Sequence, residues 1–171
     1  MGLLRRMQNR LAESRMHLET AIALNRNNAR AIYQLGFTLI YLGQPEAAVP
    51  YFEKAIRLNP RDQNIGTVYL GLGQCHLLLG QADEAIDLLR KARAANPRLW
   101  FWHIWLAGAL GLRGDLDEAR AALAEAIRLK PAKNSLATLR ASIRGTPNPQ
   151  YWALREKTLV VGLRRAGMPE Q

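Results

Sequence analysis

Apolar residues in the first half of the chain recur at the spacing of helix faces. Four of them lie at i, i+4 spacing on two consecutive segments: Leu35, Leu39, Phe52 and Ile56. This spacing predicts two amphipathic helices whose apolar faces meet. Gly36 and Ala48 are small enough to let the helices approach closely, and Gly43 between them suits the left-handed conformation that ends a helix. The pattern therefore predicts an antiparallel helix pair.

The same pattern repeats along the sequence. The segment Ala55–Pro60 is nearly copied by Ala126–Pro131, and Pro97 lies between them in a similar context. The spacing is 34 residues from Pro97 to Pro131 and 37 residues from Pro60 to Pro97, so three extra residues lie in the loop that follows Pro60. A fixed period of this length predicts stacked helical repeats, each of which needs its neighbour to bury an apolar face.

Nine positions in each repeat carry related residue types. They are Ile32, Leu35, Gly36, Leu39, Gly43, Ala48, Phe52, Ala55 and Pro60; then Tyr69, Leu72, Gly73, His76, Gly80, Ala85, Leu89, Ala92 and Pro97; then His103, Leu106, Ala107, Leu110, Gly114, Ala119, Leu123, Ala126 and Pro131. This pattern resembles the tetratricopeptide repeat (TPR) family over most of the chain. The resemblance implies an all-α fold, a right-handed α-solenoid of antiparallel helix pairs with a C-terminal capping helix.

We divide the chain on this basis into five parts. They are a half repeat with only the second helix (1–28), three repeats (29–62, 63–99 and 100–133), and a degenerate helix followed by the capping helix (134–171). A solenoid that starts in mid-repeat leaves an apolar face uncovered. We therefore expect either that the chain was cut from a longer protein, which we favour, or that another surface covers Leu11, Leu18 and Ile22.

Several end signals refine the predicted helices. Asp115 with Glu118 is typical of a capping box, and Pro50 should bend its helix slightly. In the last part, Asn134–Ile143 can form a helix, although Arg140 and Arg144 replace apolar residues of the repeat, and Gly145–Pro149 is a predicted turn. The capping helix is predicted from an N-cap, an apolar stripe and two end signals: Asn148, Pro149, Trp152, Leu159, Val160, Leu163, Gly167 and Pro169.

Composition and charge narrow the class of protein. The 171 residues carry a net charge of +10, of which +4 falls in residues 140–171. No apolar run reaches the roughly 18 residues of a membrane helix, so we expect a soluble, cytoplasmic protein. No basic stripe is interleaved with stacking aromatics, so a nucleic-acid partner is not favoured. A basic helical repeat that binds RNA or another anionic surface remains the alternative.

The sequence offers little that could carry catalysis. His17, His76 and His103 are far apart, and two of them occupy packing positions of the repeat. Cys75 lies beside His76 but points about 100° away on a helix, and no two of the His and Cys residues share i, i+4 spacing. Acidic residues at the start of second helices complement the helix dipole. We expect no enzyme activity, no cofactor and no metal site.

The TPR resemblance implies that first helices line a concave groove. Its positions are Arg30, Tyr33, Phe37, Tyr41, Thr67, Leu70, Gln74, Leu78, Phe101, Ile104, Trp105 and Gly108. Family members that clamp an acidic chaperone tail carry Lys and Asn at such places, and here apolar residues and Gln replace them, so that clamp is absent. An apolar, aromatic groove suits an amphipathic helix or apolar segment. Alternatively, helix 149–165 of the same chain or a second copy fills it.

One aromatic cluster, 99–105, holds three of the four Trp residues. Trp102 and Leu106 share a face and should be buried, whereas Phe101 and Trp105 share the groove face. Large buried aromatics anchor interfaces, so Trp105 is the preferred hot spot.

A narrower resemblance concerns the second half of the chain. Segments 88–100, 114–125 and 162–170 resemble the C-terminal TPR region of bacterial signalling proteins with an upstream adenylate/guanylate cyclase or winged-helix DNA-binding domain. This implies a non-catalytic protein-binding module from the end of a bacterial signalling protein. Its partner would be a protein or peptide helix, its own upstream domain, or a second copy in a homodimer.

Overall fold

Antiparallel helix pairs follow one another in the computed structural model, which describes residues 10–142 and 148–171. The helices of the repeat region are α1 (Leu11–Leu24), α2 (Ala29–Tyr41), α3 (Pro45–Leu58), α4 (Ile65–Leu78), α5 (Ala82–Ala95), α6 (Trp100–Arg113) and α7 (Leu116–Leu129). After them come a 3-10 turn (Pro131–Lys133), α8 (Leu136–Ala141), α9 (Pro149–Arg155), a π-helical turn (Glu156–Val160) and α10 (Val161–Arg165). We call residues 149–165 the C-terminal helix. No strand occurs in the described ranges, and the predicted all-α solenoid is confirmed.

Glycines end the first helix of each pair as predicted. Gly43, Gly80 and Gly114 have φ values of +76°, +80° and +107°, in the left-handed region that side chains with a Cβ rarely adopt. Gly167, with φ +93°, ends the C-terminal helix in the same way. These four turns set the direction in which each following segment packs.

Phe52 is the point where α2, α3 and α4 meet. Its side chain is fully buried and packs edge-on against the ring of Phe37, with centroids 5.0 Å apart. A Cβ at Gly36 would lie 2.8 Å from the Phe52 ring, and a Cβ at Gly71 would overlap the same ring. The two glycines therefore allow α2 and α4 to close on this aromatic side chain of α3.

The prediction for α1 needs a correction. Leu18 is only 7% exposed, because α1 packs on α2, and Leu11 and Ile22 are half-buried. A buried hydrogen bond of 3.0 Å between the hydroxyl groups of Ser14 and Thr38 joins the two helices. The apolar side chains that α1 leaves exposed are instead those of Met16 and Leu24.

The predicted capping box at α7 does not form. Asp115 makes no capping hydrogen bond; its carboxylate accepts hydrogen bonds from Arg113. The Glu118 carboxylate forms an ion pair with the Arg90 guanidinium at 2.6 Å. Charge-assisted bonds to guanidinium groups are stronger than a bond to a backbone N–H, which explains the different choice of partners.

The remaining predicted helix signals have mixed outcomes. Helix α3 continues through Pro50 to Leu58, and the slight bend stays a prediction. Asn148 caps α9 as predicted, with its side chain accepting a hydrogen bond of 2.8 Å from the Gln150 N–H. The helix predicted over 134–143 is realised as the short helix α8, whose start is capped by Ser135. Ile143, Arg144 and residues 145–147 of the predicted turn lie outside the described residues.

The C-terminal helix crosses α6 at a contact made by glycines. A Cβ at Gly162 would overlap the carbonyl oxygen of Gly108, and a Cβ at Gly111 would overlap that of Gly162. The backbones therefore touch directly. Leu159 and Leu163, both fully buried, pack beside this crossing.

The predicted apolar stripe of the C-terminal helix is partly wrong. Leu159, Val160 and Leu163 are buried, but the aromatic residue buried with them is Tyr151, while Trp152 is only half-buried. The cause is the π-helical turn at Glu156–Val160, because one additional residue in a turn rotates the residues before it relative to those after it.

Ion pairs attach the chain end to α8. Arg140, at a position where the repeat has an apolar residue, donates hydrogen bonds of 3.0 and 2.9 Å to the two carboxylate oxygens of Glu156. Glu170 pairs with Arg140 and with Arg164. The N–H groups of Leu136 and Ala137 donate to the carbonyl oxygens of Pro169 and Glu170, at 2.9 Å each. The start of α8 is therefore held by the residues that follow the C-terminal helix.

Candidate functional site

A cavity of about 300 Å³ lies on the face formed by α2, α4 and α6. The C-terminal helix and α8 close its other side. Its lining residues are Gln34, Phe37, Tyr41, Thr67, Leu70, Gln74, Trp100, Phe101, Ile104, Trp105, Leu139, Ser142, Tyr151 and Arg155. Six of these are aromatic, of which five lie on α2 and α6 and one on the C-terminal helix, while α4 between them contributes Thr67, Leu70 and Gln74.

Eight of the predicted groove residues line this cavity together. They are Phe37, Tyr41, Thr67, Leu70, Gln74, Phe101, Ile104 and Trp105. Tyr41, Thr67 and Phe101 keep part of their side chains exposed, whereas the other five are buried. The accessible part of the face is therefore smaller than the repeat pattern predicts.

Four of the twelve predicted groove residues do not line the cavity: Arg30, Tyr33, Leu78 and Gly108, which the Leu159 side chain covers. Arg30 is exposed on the first turn of α2 and does not reach the cavity. Tyr33 is 6% exposed and packs edge-on against Phe37, and Leu78 is 2% exposed at the end of α4. The repeat register places Tyr33 and Leu78 at exposed positions, but both are large apolar groups that the neighbouring helices bury.

The chain's own C-terminal helix occupies part of the predicted groove. The Leu159 side chain covers Gly108, the ring of Tyr151 lies 5.2 Å from that of Tyr41, and Trp105 lies under Arg155. Trp105 is consequently only 7% exposed, which corrects its placement on an open groove face. Helix 149–165 therefore fills the part of the groove that α6 forms, which is one of the two alternatives that the sequence left open.

Arg155 is the residue of this site that sequence reasoning missed. Its side chain is 6% exposed, and its guanidinium carbon lies 5.7, 5.6 and 5.2 Å from the ring centroids of Trp105, Tyr151 and Trp152. Such distances allow attraction between the cation and the three aromatic faces. The available signal was the i, i+4 spacing of Tyr151, Arg155 and Leu159, which places Arg155 on the buried face.

Tyr151 forms the wall of the cavity beside Arg155. Burial raises the pKa of its phenol to about 12, although the neighbouring Arg155 cation favours the ionised form. The neutral phenol is therefore the form that the folded protein stabilises.

This pKa shift predicts a loss of stability at high pH. Because the pKa in the folded state lies above the ordinary value of 10.0, the contribution is complete below about pH 10 and declines as the pH rises toward 12. Two pKa units correspond to about 2.7 kcal/mol at most. Urea denaturation at pH 8, 10 and 11 should show wild type losing stability relative to Tyr151→Phe. Parallel pH curves for the two proteins would contradict the prediction.

The residues considered for chemistry have structural surroundings. Cys75 is fully buried, and burial raises the pKa of its thiol. His103 is 4% exposed, with Nε2 at 2.8 Å from the Pro97 carbonyl oxygen, and His76 Nδ1 lies 2.7 Å from the Gln81 side-chain oxygen. Within residues 10–142 and 148–171, no three His, Cys, Asp or Glu side chains are grouped as metal ligands would be.

The other residues of the aromatic cluster behave as predicted. Trp102 is 3% exposed and Leu106 is fully buried. The Trp102 ring fills the space above Gly66 and beside Ala95, where a Cβ on Gly66 would lie 2.7 Å from both groups. Trp102 therefore joins α6 to the preceding repeat and leaves Phe101 and Trp105 to the cavity.

Many surface charges are paired in this structure. Arg113 contacts Asp83 at 3.0 Å, Arg128 contacts Glu125 at 2.7 Å, and the C-terminal Arg140 and Arg164 contact Glu170. Pairing lowers the density of free positive charge near the C terminus. Binding of RNA or an anionic surface stays a prediction. None of the helices among the described residues is long and apolar enough to cross a membrane.

Comparison with known proteins agrees with the repeat geometry. Two tetratricopeptide repeat family models match residues 28–98 and 103–133, together more than half of the chain. Among solved structures, MamA (residues 41 to the end) from Desulfovibrio magneticus RS-1 superposes with a TM-score of 0.66 at 22% identity, covering 95% of this chain and 92% of that one. YrrB, a TPR protein with an unusual peptide-binding site, gives 0.64 at 20% identity, covering 94% and 82%.

A curated relative is similar in sequence but much longer. The BBSome complex member BBS4 of Bos taurus is 30% identical over 137 residues, which are 80% of this chain. The chain spans 26%, about a quarter, of that relative's length, and the same share of BBS4 from Mus musculus. From the matched repeats and the helix pairs, the chain belongs to the tetratricopeptide repeat family.

Proposed function

We propose that this chain is a non-catalytic protein-interaction module that binds an amphipathic helix or apolar peptide segment on its concave face. The observation that carries the proposal is the aromatic cavity between the first helices and the C-terminal helix. TPR proteins generally act as binding modules, and protein or peptide binding is the coarse function that the family implies.

The partly exposed aromatic residues at the cavity give a partner its point of contact. Tyr41, Trp100 and Phe101 retain exposed surface, while Phe37 and Ile104 behind them are buried. Aromatic side chains above a buried apolar floor are the usual anchors of an interface. Thr67 and Gln74 supply the few polar groups that would orient a bound segment.

Two similar proteins favour this use of the fold. YrrB has a peptide-binding site, and BBS4 is a member of a multiprotein complex. Both facts concern those proteins, and they support a peptide or protein partner here as a class.

We further propose that the module works as the C-terminal regulatory or scaffold part of a larger bacterial signalling protein, in the cytoplasm. The support is the resemblance of segments 88–100, 114–125 and 162–170 to the TPR regions of cyclase-type proteins and transcription regulators. In that setting the partner would be the protein's own upstream domain, a second copy or a separate helix.

A peptide selected from a displayed random library tests the proposed binding. We expect the selected peptide to bind wild type and to lose roughly tenfold or more in affinity with Phe101→Ala, because truncating an aromatic hot spot typically costs about 2 kcal/mol or more. Tyr41→Ala should act in the same direction. Isothermal titration calorimetry measures Kd, and circular dichroism verifies that helicity is retained.

Tyr69→Ala is the matched control. Tyr69 is also a half-buried tyrosine, on α4, but it packs against Lys91 away from the cavity. Its truncation should leave Kd within about twofold of wild type. Equal weakening by Tyr69→Ala, or unchanged binding in the Phe101 and Tyr41 variants, would reject the proposed surface.

A further inference from the structure

Arg155 is a buried cation on the cavity wall that forms no ion pair with a carboxylate of residues 10–142 or 148–171. Its side chain is 6% exposed, and its Nε–H has no hydrogen-bond acceptor. The ion pairs formed by the described part of the chain do not include it, although Glu156 beside it pairs with Arg140. Burying a charge without a counter-charge is costly, so this arrangement is incomplete as a purely structural contact.

The three surrounding aromatic rings compensate only part of this cost. They lie 5.2 to 5.7 Å from the guanidinium carbon, so they can attract the cation through their faces. A guanidinium also carries five N–H donors in its plane, and these require acceptors. The rings therefore fix the position of Arg155. The Tyr151 phenol takes up part of its hydrogen-bonding capacity, and the Nε–H stays without an acceptor in the chain.

The rest of the cavity indicates what the ligand carries besides an acceptor. Phe37, Leu70 and Ile104 make an apolar wall, and the volume of about 300 Å³ is at the lower end of small-molecule pockets. The cavity thus combines an apolar wall with the buried cation of Arg155.

We propose that this cavity binds a carboxylate carried on an aromatic or branched aliphatic group. The carboxylate accepts hydrogen bonds from the Arg155 guanidinium, and the apolar group lies against Phe37, Leu70 and Ile104. A small free acid presents this chemistry, and so does an acidic side chain of a bound segment. The inference goes beyond the proposed function, because a free acid would bind here even if no protein partner did.

An acid and its neutral isostere test this site directly. The probes are phenylacetate and phenylacetamide, titrated into the full 15N-labelled chain and followed by 1H–15N NMR. We expect Kd for the acid to be roughly tenfold lower or more, since bonds to charged groups are about twice as strong as neutral ones. The Arg155 Nε–H resonance should shift with the acid and not with the amide.

Substitutions assign the preference to Arg155. Arg155→Met should abolish the difference between acid and amide, while Lys157→Met, which removes the same charge from an exposed position of the same helix, should preserve it. Retention of the preference in Arg155→Met would overturn the proposal. If that variant does not fold, the Arg155 Nε–H resonance of the wild-type protein tests the proposal instead. An Nε–H chemical shift that does not change when the acid is added would also overturn it.

A second pair of probes distinguishes the source of the carboxylate. N-acetyl-Phe-Glu-amide is compared with N-acetyl-Phe-Gln-amide by the same titration. Preference for phenylacetate supports a free acid, and preference for the Glu peptide alone supports an acidic side chain; either result supports the carboxylate site. Equal binding within both pairs, or no binding of any probe, would overturn it. Loss of library-peptide binding with an intact acid preference would reject only the proposed protein-binding function.

Discussion

Replacement of Gly162 with alanine should detach the C-terminal helix from the solenoid. The added Cβ would overlap the carbonyl oxygen of Gly108, so the two backbones must separate. Buried Leu159, Leu163 and Tyr151 would then lose their packing, and each buried side chain of this size contributes about 1.5–3 kcal/mol. We expect a loss of at least about 3 kcal/mol in urea denaturation, and faster amide exchange in residues 149–165.

Whether Gly162→Ala lowers or raises the free energy of unfolding distinguishes the effect of the glycine contact from that of helix propensity. In an uncontacted helix, glycine to alanine stabilises by roughly 1 kcal/mol, so propensity alone predicts a gain at Gly162. Ala153→Gly, at an exposed position of the same helix, measures the reverse exchange without a contact and should cost about 1 kcal/mol. A more stable Gly162→Ala protein with unchanged amide exchange would show that the glycine crossing does not hold the helix.

Phe52→Ala should be the most destabilising single truncation in the first repeat. Phe52 is fully buried and fills the space that Gly36 and Gly71 leave open, so its removal leaves a cavity among α2, α3 and α4. Truncating a buried phenylalanine typically costs about 3–5 kcal/mol. Denaturant unfolding followed by circular dichroism measures the loss, and the wall of the binding cavity at Phe37 should loosen with it.

Tyr51→Ala is the control for this substitution. Tyr51 is the neighbouring aromatic residue on α3 and is only half-buried, so its truncation should cost clearly less. Similar losses at both positions would mean that aromatic content of the helix, rather than the packing of Phe52 between two glycines, sets the stability.

The repeat region could be predicted because its strongest constraints are local. Left-handed turns demand glycine, so Gly43, Gly80 and Gly114 mark helix ends without knowledge of the fold. Close packing demands a small residue opposite a large one, which Gly36 and Phe52 satisfy. These requirements return with each repeat, and the sequence pattern therefore predicts the helix pairs and the concave face.

The C-terminal part could not be predicted in the same detail because its contacts are not repeated. The π-helical turn at Glu156–Val160 puts Tyr151 rather than Trp152 on the buried face, and no residue type requires such a turn. A regular α-helical period instead places Trp152 on the buried face. Likewise, Asp115 could cap α7 or accept a hydrogen bond from Arg113, and which of the two forms depends on side-chain positions in the folded chain.

The concave face and the C-terminal helix thus form one site, of which the helix already covers a part. The helix fills the α6 side through the glycine crossing, and the aromatic cavity stays between it and α2 and α4. Detaching the helix removes Tyr151 and Arg155 from the cavity wall. Gly162→Ala should therefore change the affinity for any ligand of this cavity together with stability.

The central claim is that a partner segment binds on the concave face beside the C-terminal helix. The most direct measurement is a 1H–15N NMR map of the library-selected peptide bound to the full chain. We expect the shifts to concentrate at Tyr41, Thr67, Phe101 and Tyr151, which line the cavity. Shifts confined to α3, α5 and α7, the second helices of the repeats, would contradict it.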